Sequence, residues 1–194
     1  MPHYFTLSSF APSLCGSIGS VSLQPKSFFE KMERHDGYQN SVIFLLIILF
    51  VPSLIDSYQI SQEKMASILP AMEGVGLLMA WMWAGYIYWC IRLFTDHQLE
   101  HTDAFQISAY SMVPMMLDIS VLMIVPAYLW QLFITWRALV SFVGISNIHA
   151  AWIMAIPVVM LTAAVVAFTM MAAMSGFDFI SPLIDENYVE KPYR

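Results

Sequence analysis

A long stretch of almost uncharged chain limits what this sequence can fold into. Between Asp103 and Phe177, only Asp118 and Arg137 carry a formal charge. A stretch of this kind cannot form a hydrated surface, whereas one span of the bilayer core needs about 20 mainly apolar residues. The stretch is therefore long enough for three helical crossings of a membrane.

The composition extends this interpretation to the whole chain. Of the 194 residues, 59% are hydrophobic and 11% are charged, against about 25% charged residues in an ordinary soluble domain. Eight basic residues stand against 14 acidic ones, and no cluster of Lys or Arg favours a nucleic-acid partner. We therefore expect a polytopic membrane protein that does not bind nucleic acid.

Apolar runs and helix-breaking residues predict an all-α bundle of five transmembrane helices. Pro70 suits the first turn of a helix, Pro126 suits a tight reversal, and Gly144 with Asn147 suits a hairpin turn. The predicted helices cover residues 40–57, 70–94, 105–125, 126–146 and 150–174.

Polar segments flank the predicted bundle. Residues 1–24 are rich in Ser, Gly and Pro. They lack the basic start and apolar core of a signal peptide, so an N-terminal tail is expected. Residues 175–194 are polar and acidic and predict a C-terminal tail. Residues 25–174 remain as the membrane domain.

The distribution of basic residues predicts the orientation. An odd number of spans places the two termini on opposite sides, and the positive-inside rule assigns the side with more Lys and Arg to the cytoplasm. This side is the N-terminal one. Near the spans it carries Lys26, Lys31, Arg34 and Arg92, whereas the other side carries Lys64 and, farther away, Lys191 and Arg194.

Small residues in the second predicted helix indicate a helix-packing surface. Gly76, Ala80 and Ala84 recur at every fourth position, so they share one face and allow another helix to approach closely.

Two charges in the apolar stretch require an explanation, because a charge near the centre of a span costs about 2.5–3.5 kcal/mol on insertion scales. With a reversal at Pro126, the depths of Asp118 and Arg137 differ by roughly 5 Å. The preferred interpretation is an intramembrane ion pair between the third and fourth helices. Separate snorkelling toward opposite interfaces and a proton or ion relay are the alternatives.

The loop before the third helix contains a candidate metal-binding pattern. His97-Gln-Leu-Glu-His101 matches H-x-x-E-H, in which two His on one helical face bind zinc. A hydrolytic site also needs a third ligand and a cleft. The alternatives are adventitious or regulatory binding of a divalent cation and a hydrated interfacial loop.

Other sequence features of catalysis are missing. The chain contains no Gly-rich phosphate loop, nucleophile elbow or paired-carboxylate site. Its 15 methionines are better explained as filling of apolar cores than as ligands for Cu(I). We therefore expect no catalytic residues, no enzyme activity and no cofactor.

Three short segments of the chain carry a resemblance to a known family. In this order they resemble the Yip1 domain family over about residues 25–174, and the Ala-Tyr-x-x-Val-Pro part is the most specific. The segments are Pro25 with Phe28 and Phe29, then Ala104-Phe-Gln106 with Ala109-Tyr-Ser-Met-Val-Pro114, and Gly144-Ile-Ser146 followed by His149 and Ala150.

The resemblance implies a five-helix membrane domain with a cytoplasmic N-terminus. Eukaryotic members of the family act in vesicle traffic and contact small Rab-type GTPases. This chain lacks the long cytosolic arm and the Asp-Leu-Tyr-Gly-Pro motif of that branch. It is similar to bacterial members, which implies the cell inner membrane. The loop 95–103 contains no glycine, whereas this loop is commonly Gly-rich in the family.

Three functions are compatible with these features. The first is a non-enzymatic accessory, scaffold or assembly subunit that contacts lipids and binds other integral membrane proteins or itself. The second is a small transporter or ion-conducting unit that uses Asp118 and Arg137. The third is a membrane zinc hydrolase built on His97 and His101. The first is the interpretation that we favour.

Overall fold

The computed structural model describes residues 5–34, 37–57, 62–117 and 121–174. Every regular element in these ranges is helical, so the predicted all-α class is confirmed. The predicted C-terminal tail and Asp118 lie outside the described residues. The helices are α1 (Phe10–Leu23), α2 (Pro25–Glu30), α3 (Gly37–Ser57), α4 (Gln62–Phe94), α5 (His101–Ser111), α6 (Val121–Ala138) and α7 (Asn147–Met174), with 3-10 turns at Leu7–Ser9 and Val113–Leu117 and a π-helical turn at Leu139–Val143.

The chain divides into two compact units, Met1–Ile153 and Met154–Arg194. The first unit contains α1 to α6 and the first turns of α7. In the second unit, the described part is the remainder of α7, where Val159 and Met160 are exposed.

α5 is the central helix of the first unit. It packs against α3, α4 and α6, and its apolar residues Phe105 and Ile107 are fully buried. Burial of each such side chain contributes about 1.5–3 kcal/mol. The neighbouring helices supply Phe44, Leu45 and Ile48 from α3, Ile87 and Ile91 from α4, and Ile134 from α6 as fully buried side chains.

The segment predicted as an N-terminal tail contains helix α1, and this corrects the prediction for residues 1–24. The buried face of α1 consists of Ser13, Ser17 and Val21, which follow one another at every fourth position. The Ser13 hydroxyl donates a 3.0 Å hydrogen bond to the main-chain carbonyl of Thr6. Since small polar residues occupy the buried face, the helix leaves almost no apolar periodicity in the sequence.

The predicted boundary between the third and fourth helices is wrong. Pro126 lies inside α6, and the break occurs earlier, where α5 ends at Ser111 and a 3-10 turn follows. Pro114 explains the position, because proline has no N–H to donate and disfavours helical backbone in the residue before it. The helix tightens there, and the Met112 N–H donates to Ala109 at 3.4 Å.

The turn predicted at Gly144 is present. Gly144 has φ +85° and ψ +18°, and its N–H donates to the carbonyl of Leu139. This left-handed conformation favours glycine. α7 begins directly after the turn, at Asn147.

One described helical stretch, Glu73–Phe94 within α4, is both long enough and apolar enough to cross a membrane. α4 begins at Gln62, eight residues before the predicted start, and ends at Phe94, where the second predicted helix ends. Shorter apolar helical stretches cover Phe10–Leu23, Tyr38–Pro52 and Asn147–Met160.

Candidate functional site

The centre of the candidate site is the buried polar helix α5. Nine consecutive residues, from Asp103 to Ser111, are buried, so this helix is covered on all sides. Glu100 precedes the helix in an extended conformation, and its carbonyl accepts a 3.1 Å hydrogen bond from the Ala104 N–H. Asp103 lies in the first turn, where the helix dipole favours a carboxylate.

Two serine side chains of α5 donate hydrogen bonds to main-chain carbonyls, one in α4 and one within α5 itself. The Ser108 hydroxyl donates a 2.7 Å hydrogen bond to the carbonyl of Ala80 in α4. The Ser111 hydroxyl donates to the carbonyl of Ser108 at 2.8 Å. Gln106 is 2% exposed, and its Oε1 atom accepts no hydrogen bond from the described residues. Burying such an oxygen costs about 1–3 kcal/mol, so Gln106 is a candidate for a functional role.

Tyr110 connects α5 to the N-terminal part of the chain. Its ring centroid lies 5.1 Å from that of Phe28 in α2 and 4.6 Å from that of Phe44 in α3. Its hydroxyl accepts a 3.3 Å hydrogen bond from the Phe5 N–H. Two segments used for the family resemblance, the one with Phe28 and the one with Tyr110, are therefore in direct contact.

The small-residue face of α4 is the surface on which α3 and α5 pack. Ala80 and Ala84 are fully buried. A Cβ atom at Gly76 would lie 2.6 Å from Cδ1 of Leu49 in α3. At the other end of α4, the Tyr86 hydroxyl donates a 2.6 Å hydrogen bond to the carbonyl of Ile153.

The two histidines of the H-x-x-E-H pattern do not share a helical face. His97 is exposed and lies in the non-helical segment before α5, whereas His101 is the first residue of α5. The His101 Nδ1 atom is 2.9 Å from the hydroxyl of Tyr38, and the rings of Trp81 and Tyr88 lie beside it. In the described parts of the chain, no group of three His, Cys, Asp or Glu residues is placed to hold a metal ion.

A polar groove of about 460 Å³ lies where α4 ends and α5 begins. The Arg92 Nη1 atom donates a 2.8 Å hydrogen bond to the hydroxyl of Tyr88. The Arg34 Nη2 atom donates to the carbonyl of Phe142 at 2.7 Å, and its guanidinium lies 5.3 Å from the Phe142 ring. Both arginines are thus held by protein groups. The groove is lined by Arg34, Tyr88, Arg92, His97, Gln98, Leu99, Glu100 and Asp103.

Only one member of the predicted charge pair is described. Arg137 is half-buried in the last turn of α6, and its guanidinium lies 5.8 Å from the ring of Trp136. Asp118 lies outside the described residues, so the pair stays a prediction. A depth difference of roughly 5 Å between the two residues requires a reversal at Pro126, whereas Pro126 lies within α6.

A match to a protein-family model shows which family this chain belongs to. The family model for the Yip1 domain matches residues 18–169. The chain belongs to the Yip1 domain family. This confirms the resemblance based on Phe28, Tyr110 and Gly144, which all lie inside the matched range. The Yip1 family is a family of membrane proteins. No curated protein and no solved structure matches the chain.

Several residues of the Yip1-domain site had no signal of their own in the sequence. Gln106 belongs to the family segment and Ser108 lies between its two quoted parts, but the contact of Ser108 with α4 and the burial of Gln106 in the core could not be inferred from spacing. Tyr38 lies outside that segment and reaches His101 across 63 positions of the chain. A polar side chain in a nearly uncharged helix is the one feature that could have indicated Ser108, Ser111 and Gln106.

Proposed function

We propose that this Yip1-domain protein is a five-span protein of the cell inner membrane, with its N-terminus in the cytoplasm. We further propose that it is a non-enzymatic accessory, scaffold or assembly subunit that binds another integral membrane protein. The observation that carries the second proposal is an exposed apolar stripe along α4.

The lengths of three helical segments support the five-span arrangement. At 1.5 Å per residue, α3 with 21 residues is about 31 Å long, and α6 with 18 residues is about 27 Å long. α5 and its 3-10 turn have 11 and 5 residues and together extend about 26 Å. These lengths are close to the hydrocarbon thickness of a bilayer, about 30 Å.

The positions of the basic residues support the orientation. Arg34 and Arg92 line the same groove, and Arg34 also contacts Phe142 after the end of α6. The same level of the first unit therefore carries two basic side chains, Arg34 from the segment after α2 and Arg92 from the last turn of α4. Lys64 belongs to the opposite end of α4, about 42 Å from Arg92 along the helix. The positive-inside rule favours the cytoplasm for the side with more basic residues.

The exposed stripe on α4 supports binding of a partner helix. Its residues recur at the three- and four-residue spacing of one helical face, and each is more than half exposed. Gly85 lies at the edge of this stripe, and nothing lies within 4 Å of the position of its missing Cβ atom. A glycine beside large apolar side chains leaves room for close approach by another helix. The stripe consists of Val75, Leu78, Met79, Met82, Trp89 and Leu93.

Site-specific crosslinking in the native membrane tests this proposal. A photoreactive amino acid at Met82 should crosslink to one defined membrane protein, which should also co-purify in nanodiscs at comparable stoichiometry. The same amino acid at Val125, an exposed apolar residue of α6, is the control and should not give that product. Gly85→Ile should abolish the crosslink without unfolding the protein, since its side chain enters open space.

Two outcomes would overturn the proposed partner. One is a homogeneous monomer or homo-oligomer whose Met82 crosslinks lead only to itself or to lipid. The other is a Met82 product that Gly85→Ile leaves unchanged. The topology is tested independently by reporter fusions, and a C-terminal reporter on the cytoplasmic side would exclude five spans with a cytoplasmic N-terminus.

A further inference from the structure

A second groove of the first unit, with a volume of about 540 Å³, lies between the junction of α1 and α2 and helix α6. Lys26 and Arg137 provide positive charge in its lining, and Trp130 and Phe133 provide an aromatic wall. Ser22, Gln24, Ser27 and Glu30 are the polar groups that also line it.

The charges of this groove are unbalanced. The Lys26 Nζ atom lies 3.6 Å from the Glu30 carboxylate, and both side chains are about half exposed or more. Arg137 forms no ion pair with any residue of the described ranges. Two cations and one carboxylate leave a formal charge of +1. The guanidinium offers several N–H donors in the planar arrangement that binds phosphate oxygens well.

The apolar wall continues along one face of α6. Met123, Pro126, Trp130, Phe133 and Arg137 follow one another at spacings of three, four, three and four residues, which places them on one helical face. The first four are exposed. From Arg137 to Met123 the face is about 21 Å long, whereas one leaflet of the hydrocarbon core is about 15 Å deep. The positive charge therefore lies at one end of an apolar track that is deep enough for an acyl chain.

We propose that this groove binds an anionic phospholipid. Its phosphate accepts hydrogen bonds from Arg137 and Lys26, and one acyl chain lies on the α6 face against Trp130 and Phe133. A free phosphate ion would leave the aromatic wall unused. A purely apolar partner helix would leave the charge of Arg137 uncompensated. This site requires only that the chain lies in a membrane, and it does not depend on the partner proposed for α4.

Native mass spectrometry of the full-length protein in detergent tests the site. The protein is titrated with short-chain phosphatidylglycerol and, separately, with phosphatidylcholine of the same chain length. We expect one phosphatidylglycerol molecule to bind at least fivefold more tightly. Lys26→Gln should weaken this binding by about fivefold, the effect of one basic residue near an anionic membrane surface. Arg137→Gln should weaken it further.

Two exposed positions provide a matched control and a change of opposite sign. Glu30→Gln removes the carboxylate that opposes the phosphate, so it should strengthen phosphatidylglycerol binding by about fivefold. Lys31→Gln removes a neighbouring exposed cation that does not line the groove, so it should change the affinity little. These variants keep the test decisive if Arg137→Gln does not fold.

Several results would overturn the lipid site. Equal affinities for the two lipids, or affinities unchanged by Lys26→Gln and Glu30→Gln, would exclude selective binding of an anionic lipid here. Displacement of phosphatidylglycerol by inorganic phosphate would indicate an ion site. If Asp118→Asn and Arg137→Gln lower the unfolding temperature equally while Lys26→Gln leaves lipid binding unchanged, Arg137 is the internal partner of Asp118 and the proposal is wrong. The titration uses purified protein, so its failure is separate from loss of a partner at α4.

Discussion

The hydroxyl of Ser108 donates a 2.7 Å hydrogen bond to the main-chain carbonyl of Ala80, and both residues are fully buried. The bond joins α5 to the middle of the small-residue face of α4. Because the side chain of Ala80 is a single methyl group, the short side chain of Ser108 can reach the backbone of α4 directly. The small side chain that lets α5 pack closely against α4 is thus also what makes this hydrogen bond between the two helices possible.

Ser108→Ala should lower the free energy of unfolding by about 1 kcal/mol, the net contribution of one buried hydrogen bond. Denaturant unfolding in detergent measures the change. Thr162→Ala is the control, since the Thr162 hydroxyl donates a similar 2.8 Å bond to Val158 at an exposed position of α7, and we expect a change within about 0.5 kcal/mol. Equal effects of the two substitutions would contradict a special role for the contact with Ala80.

Gly76→Ile should destabilise the protein by about 1–3 kcal/mol, because overpacking forces neighbouring groups to move. The Cβ position of Gly76 lies 2.6 Å from the end of the Leu49 side chain. Adding Leu49→Ala should recover part of the loss, and a double-mutant cycle measures this coupling. Gly74→Ile is the control, since nothing lies within 4 Å of its Cβ position. Independent effects of Gly76→Ile and Leu49→Ala would show that the two helices do not meet there.

Gly144→Ala should destabilise the protein by about 1 kcal/mol or more, because an L side chain is unfavourable in left-handed backbone. Gly144 has φ +85°, and no neighbouring atom obstructs its Cβ position, so the cost is one of backbone conformation alone. Thermal unfolding measures the effect. Gly85→Ala, at a helical glycine with equal space, should be neutral or stabilising by up to about 1 kcal/mol. If the two substitutions have the same effect, the turn after α6 has another conformation.

Phe28 and Tyr110 should be energetically coupled by about 0.5–1.5 kcal/mol, as expected for aromatic rings in edge-to-face contact. Their centroids are 5.1 Å apart at 61°. The cycle of Phe28→Leu, Tyr110→Leu and the double variant isolates this term. Trp130 and Phe133, whose exposed rings are 5.7 Å apart, form the reference pair and should show weaker coupling in detergent. Additive effects of Phe28→Leu and Tyr110→Leu would mean that the two family segments do not contact each other.

Some local features of the fold were readable in advance because they depend on one or two residues. Gly144 ended a helical run as predicted, and Phe94 is the last residue of both the predicted and the observed second helix. The turn predicted at Pro126 is absent, because a proline within a long apolar run is compatible either with a turn or with a position inside a continuous helix. Pro114 ended α5 instead. Whether a proline ends a helix or lies inside it depends on the contacts that the surrounding helices make, and the residues next to the proline in the sequence do not determine those contacts.

The sequence by itself determined the apolar character of the chain, its all-helical class and its family, because composition and short motifs are properties of residues taken in order. Only the tertiary structure decided that α1 is a helix, that α5 is buried on every side and that Arg137 and Lys26 line the same groove. Ser108 and Ala80 are 28 positions apart, and Tyr110 and Phe28 are farther apart still. Burial and hydrogen bonding depend on which distant helices come together, and a helical pattern states only which residues share a face.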